Sequence, residues 1–241
     1  MVIVVPCFNE AARLDGEAFL AYACGHPDVG FLFVDDGSRD RTADRLEQLR
    51  AREPGAIAVH GMTENSGKAE AVRAGVLAAL GAGCESVGYW DADLSTPLDE
   101  ITRFRDVLRD NPAILAVLGC RVRRLGADVR RRNARHYLGR IFATGASLVL
   151  RLPVYDTQCG AKLFRADTRV REAFTAPFAS RWAFDVEVLA RLRSGLDDAR
   201  AEGLFHEEPL RRWTDIPGSK LGARHMLVAL LDLLRLWGSR R

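Results

Sequence analysis

Acidic side chains follow two separate apolar runs, in patterns that can bind a metal ion. Asp91-Ala92-Asp93 comes directly after the run that ends at Trp90, and Asp35-Asp36 follows another such run. Two carboxylates at positions i and i+2 after a strand can share one divalent cation, and Mg²⁺ and Mn²⁺ prefer oxygen ligands. A turn with a helix cap is the alternative for the triplet, which alone leaves both open. Asp35-Asp36 adds weight to the metal, because like charges at one edge need a cation or donors to balance them.

A basic segment lies further along the chain. Residues 121–140 contain eight arginines and one acidic residue, although the formal net charge of the whole chain is only +3. Arginine suits bidentate phosphate contacts, and Arg121 follows a predicted strand, so we expect it at the same edge as the carboxylates. Four further arginines follow: Arg130, Arg131, Arg132 and Arg135. For each of these a solvated basic face is the simpler interpretation. One patch fits phosphates or an anionic membrane and argues against a nucleic-acid coat.

Two polar segments in the second half are harder to interpret. Asp156-Thr157-Gln158-Cys159-Gly160 separates two apolar runs and is either a site or a structural turn, since buried polar clusters need partners. The segment 181–187 begins a predicted helix whose aromatic residues we expect in the core. Asp185 and Glu187 are candidate surface acids, although the pattern leaves their burial open.

These residues need elements to position them, and the hydrophobic pattern predicts those elements. The first half alternates helical patterns with five apolar runs, which are predicted strands: Val2–Val5, Phe31–Val34, Ile57–Val59, Val87–Trp90 and Ile114–Leu118. Three helices are predicted, with caps at Asp40, Ser66 and Thr96, and Pro97 takes the first position of the third helix. This alternation predicts an α/β fold with a mostly parallel sheet flanked by helices. Ligands of such sheets bind at the carboxyl ends of the strands, where the carboxylates lie.

The second half has a less regular pattern. It predicts a helix over about 133–151, followed by an extended stretch over Leu152–Phe164. A second helix is predicted over Arg181–Leu192, a short strand over Leu204–Pro209 and a last helix over about 222–238. The apolar centre of the last helix, Met226–Trp237, is about 18 Å long at about 1.5 Å per residue. It is therefore too short for a bilayer core of about 30 Å, and we expect it to pack on the protein or to lie in an interface.

Composition limits the class of protein. The chain has 241 residues, of which 48% are hydrophobic and 28% charged, as in a folded protein of one large domain or one domain with an appendage. Its five cysteines are widely spaced without a C-x-x-C pair, which predicts neither disulfides nor a zinc site and favours a reduced, cytoplasmic protein. The first residues show no signal peptide.

Seven segments stand in this order along the chain: VIVVPCFNE, FLFVDDGSRDRT, NSGKAEAVRAG, WDADLSTP, VLGCR, YDTQCGAKLFR and RWAFDVEVL. In this order they resemble family 2 glycosyltransferases of the GT-A fold, over about residues 2–190. The segments at 156–164 and 181–185, with Trp213-x-x-Ile216-x-Gly218-Ser219-Lys220, are narrower. They resemble the dolichyl-phosphate β-glucosyltransferase branch, close to the dolichyl-phosphate mannose synthase branch.

The resemblance implies a nucleotide-sugar donor, with UDP-glucose expected, and a divalent metal, Mg²⁺ or Mn²⁺. It implies five donor-binding residues, of which the first two line the nucleoside pocket and the third lies near the base or ribose: Pro6, Glu10, Asp36, Lys68 and Asp91. Asp93 would hold the metal on the diphosphate, with Asp91 as the second candidate ligand. The family's Gly-Lys-Gly motif is Gly67-Lys68-Ala69 in this sequence, and the methyl group of Ala69 is expected to limit how closely the backbone approaches the nucleotide.

The resemblance also implies a polyprenyl-phosphate acceptor and inversion at the transferred sugar. Arg121 and one of Arg130–Arg132 would hold phosphates, and Asp156 would face the acceptor, with Gln158 and Lys162 beside it. A phosphate acceptor is largely ionised at neutral pH, whereas a sugar hydroxyl needs a general base. Asp156 would therefore position a phosphate acceptor or orient Lys162, or act as the base for a hydroxyl acceptor. We hypothesise the first role.

The predicted domain covers residues 1–221, with a nucleotide-sugar-binding half over 1–120 and an acceptor half over 121–221, followed by an amphipathic helix over 222–241. Many relatives with lipid acceptors carry transmembrane helices, and none is predicted here. Transfer to a glycan or glycolipid hydroxyl, and a silent sugar-nucleotide-binding module, therefore stay as alternatives. A nucleotidyltransferase shares the fold class but is expected to carry a glycine-rich phosphate-binding loop near the N-terminus, and residues 1–15 contain no such loop. A peripheral contact with the inner face of the membrane is a further hypothesis, and the oligomeric state is open.

Overall fold

The computed structural model describes residues 1–130 and 133–216, and nine strands and eight helices are present in this part of the chain. The strands are β1 (Val2–Cys7), β2 (Gly30–Asp35), β3 (Ile57–Gly61), β4 (Ser86–Trp90), β5 (Ala116–Cys120), β6 (Asp128–Arg130), β7 (Ala161–Arg165), β8 (Phe205–Pro209) and β9 (Arg212–Thr214). The helices are α1 (Gly16–Gly25), α2 (Thr42–Arg52), α3 (Lys68–Gly81), α4 (Asp99–Asp110), α5 (Asn133–Leu150), α6 (Thr168–Thr175), α7 (Phe184–Leu192) and α8 (Asp198–Glu202).

Seven strands form one sheet in the order β3-β2-β1-β4-β7-β5-β8. All neighbours are parallel except β7, which runs antiparallel to both β4 and β5. β6 and β9 form a separate parallel pair. The predicted α/β fold with a mostly parallel sheet is confirmed.

Both faces of the sheet are covered. Along β1, Val4 packs into the hydrophobic cluster on one face, while Ile3 and Val5 pack into the cluster on the other, and all three side chains are fully buried. Residues of α3, α6 and α7 belong to the first cluster, and residues of α1, α2 and α4 belong to the second. A strand buried on both faces reads as an uninterrupted apolar run, which is why β1 was predictable.

The antiparallel strand determines where the site lies. The carboxyl ends of the six parallel strands lie at one edge of the sheet, and β7 begins there because it runs the other way. Ala161 of β7 pairs with Trp90 of β4, so the residues just before β7 lie beside those just after β4. This edge is called the carboxyl edge below.

The caps predicted for two helices, α3 and α4, are wrong. α3 begins at Lys68 after Gly67, so Ser66 does not cap it. α4 begins at Asp99 after Leu98, so the predicted cap at Thr96 was also wrong. In the first case Ser66 lies in a turn whose backbone binds a carboxylate, and in the second the carbonyl of Thr96 accepts a bond from the indole of Trp90 at 2.9 Å.

Several elements were not predicted. α1 begins and ends with glycine, which weakens its helical signal. Gly16 stands where a Cβ would come within 2.5 Å of Leu49 Cδ2 on α2, so a larger residue there would displace the Leu49 side chain. β6, β9, α6 and α8 are short and were also missed.

The predicted last helix, at about 222–238, and the predicted domain boundary at residue 221 lie outside the described residues. Within 1–130 and 133–216, no helix is both long enough and apolar enough to cross a bilayer.

Candidate active site

The Asp91–Asp93 segment forms a tight turn at the end of β4. The backbone N–H of Asp91 donates to the carbonyl of Gly160 at 3.1 Å, and Asp93 Oδ1 accepts from the N–H of Ser95 at 3.0 Å. Leu94 has a positive φ of 53°, which is uncommon for a residue with a branched side chain. Such strain recurs at ligand sites, and here it turns the chain away after the second carboxylate.

Lys68 lies opposite the first of these carboxylates. Its Nζ forms an ion pair with Asp91 Oδ1, and both side chains are partly exposed. Burial would lower the pKa of Lys68, but Asp91 and Asp185 outweigh it and raise that pKa. The ammonium at the start of α3 therefore stays charged beside the Asp91–Asp93 turn.

Asp35 and Asp36 are balanced by hydrogen-bond donors, one of the two possibilities that the sequence left open. The buried carboxylate of Asp36 accepts from Asn65 Nδ2 at 2.8 Å and from the N–H groups of Ser66 and Gly67 at 2.7 and 2.8 Å. Burial raises the pKa of Asp36, although these two backbone donors oppose the rise. Asp36 thus holds the turn before α3 and places Lys68.

The loops after β1 and β2 complete the site at this end of the carboxyl edge. Asn9, with a φ of 54°, donates its N–H to Ser38 Oγ at 3.0 Å, so the loop after β1 is tied to the loop after β2. The carboxylate of Glu10 accepts from Arg13 Nε at 3.0 Å. Pro6 lies within β1, paired with Val34, and is partly exposed. These residues belong to the end of β1 and the loop after it, next to the end of β2, which Asp36 follows.

Arg121 and Asp156 form a buried ion pair on the other side of the Asp91–Asp93 turn. Arg121 Nε and Nη2 donate to the two carboxylate oxygens of Asp156 at 2.7 and 2.8 Å, and the Arg121 N–H adds a third contact at 3.1 Å. The guanidinium also lies 5.3 Å from the centre of the Trp213 ring. Burial opposes the charge of Arg121, but Asp156 raises its pKa further above the ordinary value. Arg121 and Asp156, which the sequence predicted as separate site residues, therefore form one unit.

Glu207 on β8 fixes this pair from behind. Its carboxylate accepts the N–H groups of Tyr155 and Asp156 at 2.7 and 2.8 Å. Burial raises the pKa of Glu207, and Asp156 raises it further, while the two backbone donors oppose the change. This role of Glu207 was not predictable from the sequence, because Glu207 is 51 residues from Asp156 along the chain.

The polar segment before β7 leaves donors and acceptors unused. Thr157 Oγ1 and Gln158 Nε2 are buried atoms without a hydrogen-bond partner among the described residues. The N–H of Gln158 donates to Asp156 Oδ1 at 3.2 Å, so Gln158 stands beside the ion pair. Buried polar atoms are almost always satisfied, so these two indicate a polar partner from outside the described residues.

Two predicted phosphate or acceptor residues, Lys162 and Arg130, have other surroundings than expected. Lys162 is fully buried on β7, and its Nζ donates to Asp185 and to the carbonyl of Cys159, so it is not placed to bind an acceptor and Asp156 does not orient it. Arg130 is exposed and pairs with Asp128 at 2.8 Å. Arg131 lies outside the described residues, as do Arg132 and the Gly218-Ser219-Lys220 segment.

The two acids of the 181–187 segment are buried rather than on the surface. Asp185 and Glu187 are each 5% exposed. Glu187 accepts from the N–H of Ala179 at 3.0 Å and pairs with Arg191 at 2.6 Å. A signal was available, because both acids interrupt an otherwise apolar helical run, Phe184–Leu192.

Arg181 is a site residue that the sequence interpretation did not select. Its side chain lies against Gly67, where a Cβ would stand 3.6 Å from Arg181 Nε, and its charge lowers the pKa of Asp36 against the effect of burial. Gly67 has a φ of 95°, so glycine is favoured there for its backbone as well. Arg181 thus places a guanidinium at the start of α3, next to Lys68.

The carboxylates after β4 fit a metal ion held largely by substrate oxygens. In the described part of the chain, no group of three or more His, Cys, Asp or Glu side chains could hold a metal by itself. Mg²⁺ in nucleotide sites is commonly bound by one or two carboxylates together with water and phosphate oxygens. Asp91 and Asp93 supply this smaller set, with basic groups nearby for the phosphates.

A family model described as glycosyl transferase family 2 matches residues 2–169. The chain belongs to this family. It is a glycosyltransferase, of the hexosyltransferase class.

Curated relatives of this glycosyltransferase act on polyprenyl phosphates by name. The chain is 32% identical over 235 residues to a dolichyl-phosphate beta-glucosyltransferase of Dictyostelium discoideum, covering 91% of this chain and 68% of the relative. It is 26% identical over 244 residues to the polyprenol monophosphomannose synthase of Mycolicibacterium smegmatis, covering 99% of this chain and 87% of the relative. The predicted branch resemblance is therefore confirmed.

Solved structures share the fold at low identity. A glucosyl-3-phosphoglycerate synthase from Mycobacterium tuberculosis, in complex with Mn²⁺, UDP-glucose and phosphoglyceric acid, superposes with a TM-score of 0.67 at 18% identity, covering 98% of this chain and 79% of the other. A mannosyltransferase from Pyrobaculum calidifontis with GDP-mannose and Mn²⁺ superposes with a TM-score of 0.61 at 19% identity, covering 99% of this chain and 63% of the other. At these identities the likeness establishes the fold, which is the GT-A fold that the sequence predicted.

Proposed function

We propose that this glycosyltransferase transfers glucose from UDP-glucose to a polyprenyl phosphate, with inversion and with a divalent metal ion, Mg²⁺ or Mn²⁺. The observation that carries the proposal is the meeting of two groups at the carboxyl edge. Asp91, Asp93 and Lys68 form one group, and the buried pair Arg121–Asp156 forms the other. The names of the relatives support the donor and the acceptor.

The donor binds on the side of β1, β2 and α3 in this proposal. Pro6, Glu10 and Asp36 form the nucleoside pocket, where Asp36 also keeps the turn before α3 in place. Lys68 and Asp91 face the nucleotide, and Asp93 with Asp91 would hold the metal ion. When bound, that ion would neutralise negative charge on the diphosphate.

Arg121 stabilises charge on phosphate oxygens near the reacting sugar. Its guanidinium is held in one orientation by Asp156 and stacks near Trp213, so little reorganisation is needed when charge develops on the leaving diphosphate. Attack from the face opposite the leaving group inverts the anomeric centre.

Asp156 acts as a positioning group rather than as a base. Both of its oxygens accept bonds from Arg121, and Oδ1 also accepts from the N–H of Gln158. A phosphate acceptor, with a second pKa near about 6, is largely ionised at neutral pH and needs no base. Gln158, whose buried Nε2 has no hydrogen-bond partner among the described residues, is the candidate for contact with the acceptor phosphate in this proposal.

The decisive experiment measures release of UDP from UDP-glucose with Mn²⁺ or Mg²⁺, with and without a short polyprenyl phosphate. Asp93→Ala is expected to lower acceptor-dependent turnover by about a hundredfold or more, the scale for a group that stabilises transition-state charge. Asp110→Ala, at an exposed carboxylate at the end of α4, is the matched control and should keep full turnover.

The other outcomes separate the alternatives. Turnover of UDP-glucose that ignores the polyprenyl phosphate would discard this acceptor and favour a glycan or glycolipid hydroxyl. No turnover of any UDP- or GDP-sugar would overturn the proposal and leave a sugar-nucleotide-binding module.

A peripheral contact with the inner face of the cytoplasmic membrane follows from a lipid acceptor. α5 exposes Ile141 and Leu148, seven residues apart on one face, and Leu125 is fully exposed in the basic segment. Apolar side chains beside arginines suit an anionic bilayer surface.

Flotation on vesicles tests this contact. The enzyme is expected to float with vesicles that contain anionic lipid, and Ile141→Ser with Leu148→Ser should reduce the bound fraction. Vesicles of neutral phosphatidylcholine are the control. Absence of flotation with both lipid mixtures would reject membrane docking.

A further inference from the structure

A buried ion pair lies directly beneath the site. Lys162 on β7 is 0% exposed and Asp185 in the first turn of α7 is 5% exposed, and Lys162 Nζ lies 2.6 Å from Asp185 Oδ1. The same oxygen accepts the hydroxyl of Tyr89 at 2.6 Å. Burying two charges is costly unless their geometry and remaining hydrogen bonds are good. Both side chains are buried, so the pair needs an explanation within the interior of the fold.

Lys162 connects the pair to the backbone of the site. Its Nζ also donates to the carbonyl of Cys159 at 2.6 Å. The next carbonyl, that of Gly160, accepts the N–H of Asp91 at 3.1 Å. A Cβ on Gly160 would overlap the carboxylate of Asp91, so the two residues are in direct contact. A continuous series of contacts therefore runs from α7 to the first carboxylate after β4.

We propose that Asp185 and Lys162 are positioning residues for the donor site: they fix the carbonyl of Cys159, and the adjoining Gly160, through its carbonyl and its close contact, fixes Asp91 opposite Lys68. The inference rests on the proposed function for its catalytic consequence. The mechanical link itself stands on contacts in the structure.

The test uses the double variant Lys162→Met with Asp185→Leu. Replacing a buried ion pair by apolar residues of similar volume is often tolerated, so this variant separates positioning from stability better than a single change that leaves one buried charge unpaired. The control is Arg191→Met, which breaks another ion pair on α7. The other hydrogen bonds of the Arg191 guanidinium go to carbonyls in and after α6, away from Asp91. Circular dichroism establishes that each variant is folded.

Hydrogen exchange is the first measurement, because it needs no ligand. The N–H of Asp91 is expected to exchange about tenfold faster or more in the double variant, while the amides of β1 and β2 keep their wild-type rates. The control should leave the Asp91 amide unchanged. Exchange at Asp91 within about twofold of wild type would overturn the proposal. If the double variant fails to fold, the same comparison is made on Asp185→Asn, which keeps an acceptor oxygen for Lys162.

Binding of UDP with Mn²⁺ is the second measurement. Loss of positioning is expected to raise Kd for UDP by about tenfold in the double variant, with a smaller rise in Asp185→Asn. A double variant that binds UDP as tightly as wild type would contradict the inference. Wild-type protein that fails to bind UDP would instead overturn the proposed function, while hydrogen exchange would still decide the mechanical link.

Discussion

At the scale of single residues, the site depends on one position without a side chain. Gly160 precedes β7 and touches the carboxylate of Asp91, and its carbonyl accepts the Asp91 N–H at 3.1 Å. No other amino acid leaves room for this contact, because any Cβ would occupy the place of the carboxylate oxygens. Glycine here serves close approach rather than an unusual backbone conformation.

Gly160→Ala is therefore expected to displace Asp91 and to weaken binding of UDP with Mn²⁺ by about tenfold or more, with a loss of stability of about 1–3 kcal/mol from overpacking. Calorimetric titration and thermal denaturation measure the two effects. Gly81→Ala at the end of α3, where a Cβ meets nothing within 4 Å, is the matched control and should change neither. Tight UDP binding by Gly160→Ala would contradict this account of the site.

The local rules of sequence predicted some of these residues and missed others. Asp91 and Asp93 were predictable, because they directly follow a run that could only be a buried strand, and ligands bind where such strands end. The partner of Lys162 was not predictable. Asp185 is 23 residues away and reaches Lys162 only because α7 packs against the sheet beside β7. Pairing across that distance is a property of the tertiary fold.

At the scale of elements, β8 positions the residues that hold Arg121. Glu207 reaches from this strand to two successive backbone N–H groups, those of Tyr155 and Asp156. The segment before β7 has no regular structure from Pro153 to Gly160, so this side chain replaces the hydrogen bonds that a strand would have supplied. β8 thus contributes to the site although its end carries no predicted site residue.

Glu207→Gln should destabilise the fold by about 1–3 kcal/mol, because the amide has one acceptor oxygen for two buried N–H donors. It should also change the pH dependence of stability. A glutamate with a raised pKa in the native state binds more protons than the unfolded chain between its ordinary and raised pKa, so its contribution to stability falls as pH rises through that window. The free energy of unfolding, measured by urea denaturation from about pH 4.5 to 7.5, is plotted against pH. The slope of this plot is expected to be less negative, or more positive, in the variant than in the wild type. Parallel curves for the two proteins would contradict this assignment.

The sequence predicted elements in proportion to the strength of their hydrophobic pattern. The five strands of the first half, β1 to β5, were predicted to within about two residues because they are continuous apolar runs. β7 was seen only as part of an extended stretch, and nothing in its residues, Ala161–Arg165, distinguishes a parallel from an antiparallel neighbour. Its direction depends on the chain crossing back from β5.

At the scale of the whole molecule, the site joins parts of the chain that are far apart in sequence, so a ligand that bridges them should stabilise the entire fold. UDP together with Mn²⁺ at about one hundred times Kd should add about 2.7 kcal/mol, or a rise of about 5–10 °C in Tm. Scanning calorimetry with UDP alone, Mn²⁺ alone and both together measures the effect. The combined shift should exceed the sum of the separate ones, and additive shifts would argue against Asp91 and Asp93 holding a metal on the diphosphate.

The placement of β7 between β4 and β5 has a consequence for how this enzyme can be divided. Strands from the first 120 residues and strands from the rest of the chain are interleaved in the sheet, since β7 and β8 lie on either side of β5. A cut after Cys120 would leave β4 and β5 without the neighbour that separates them. Two such fragments should be inactive and poorly soluble alone, yet should reconstitute one catalyst when co-expressed. Donor and acceptor specificity are therefore not interchangeable cassettes in this fold, and chimaeras that exchange one half would have to carry β7 with its original neighbours.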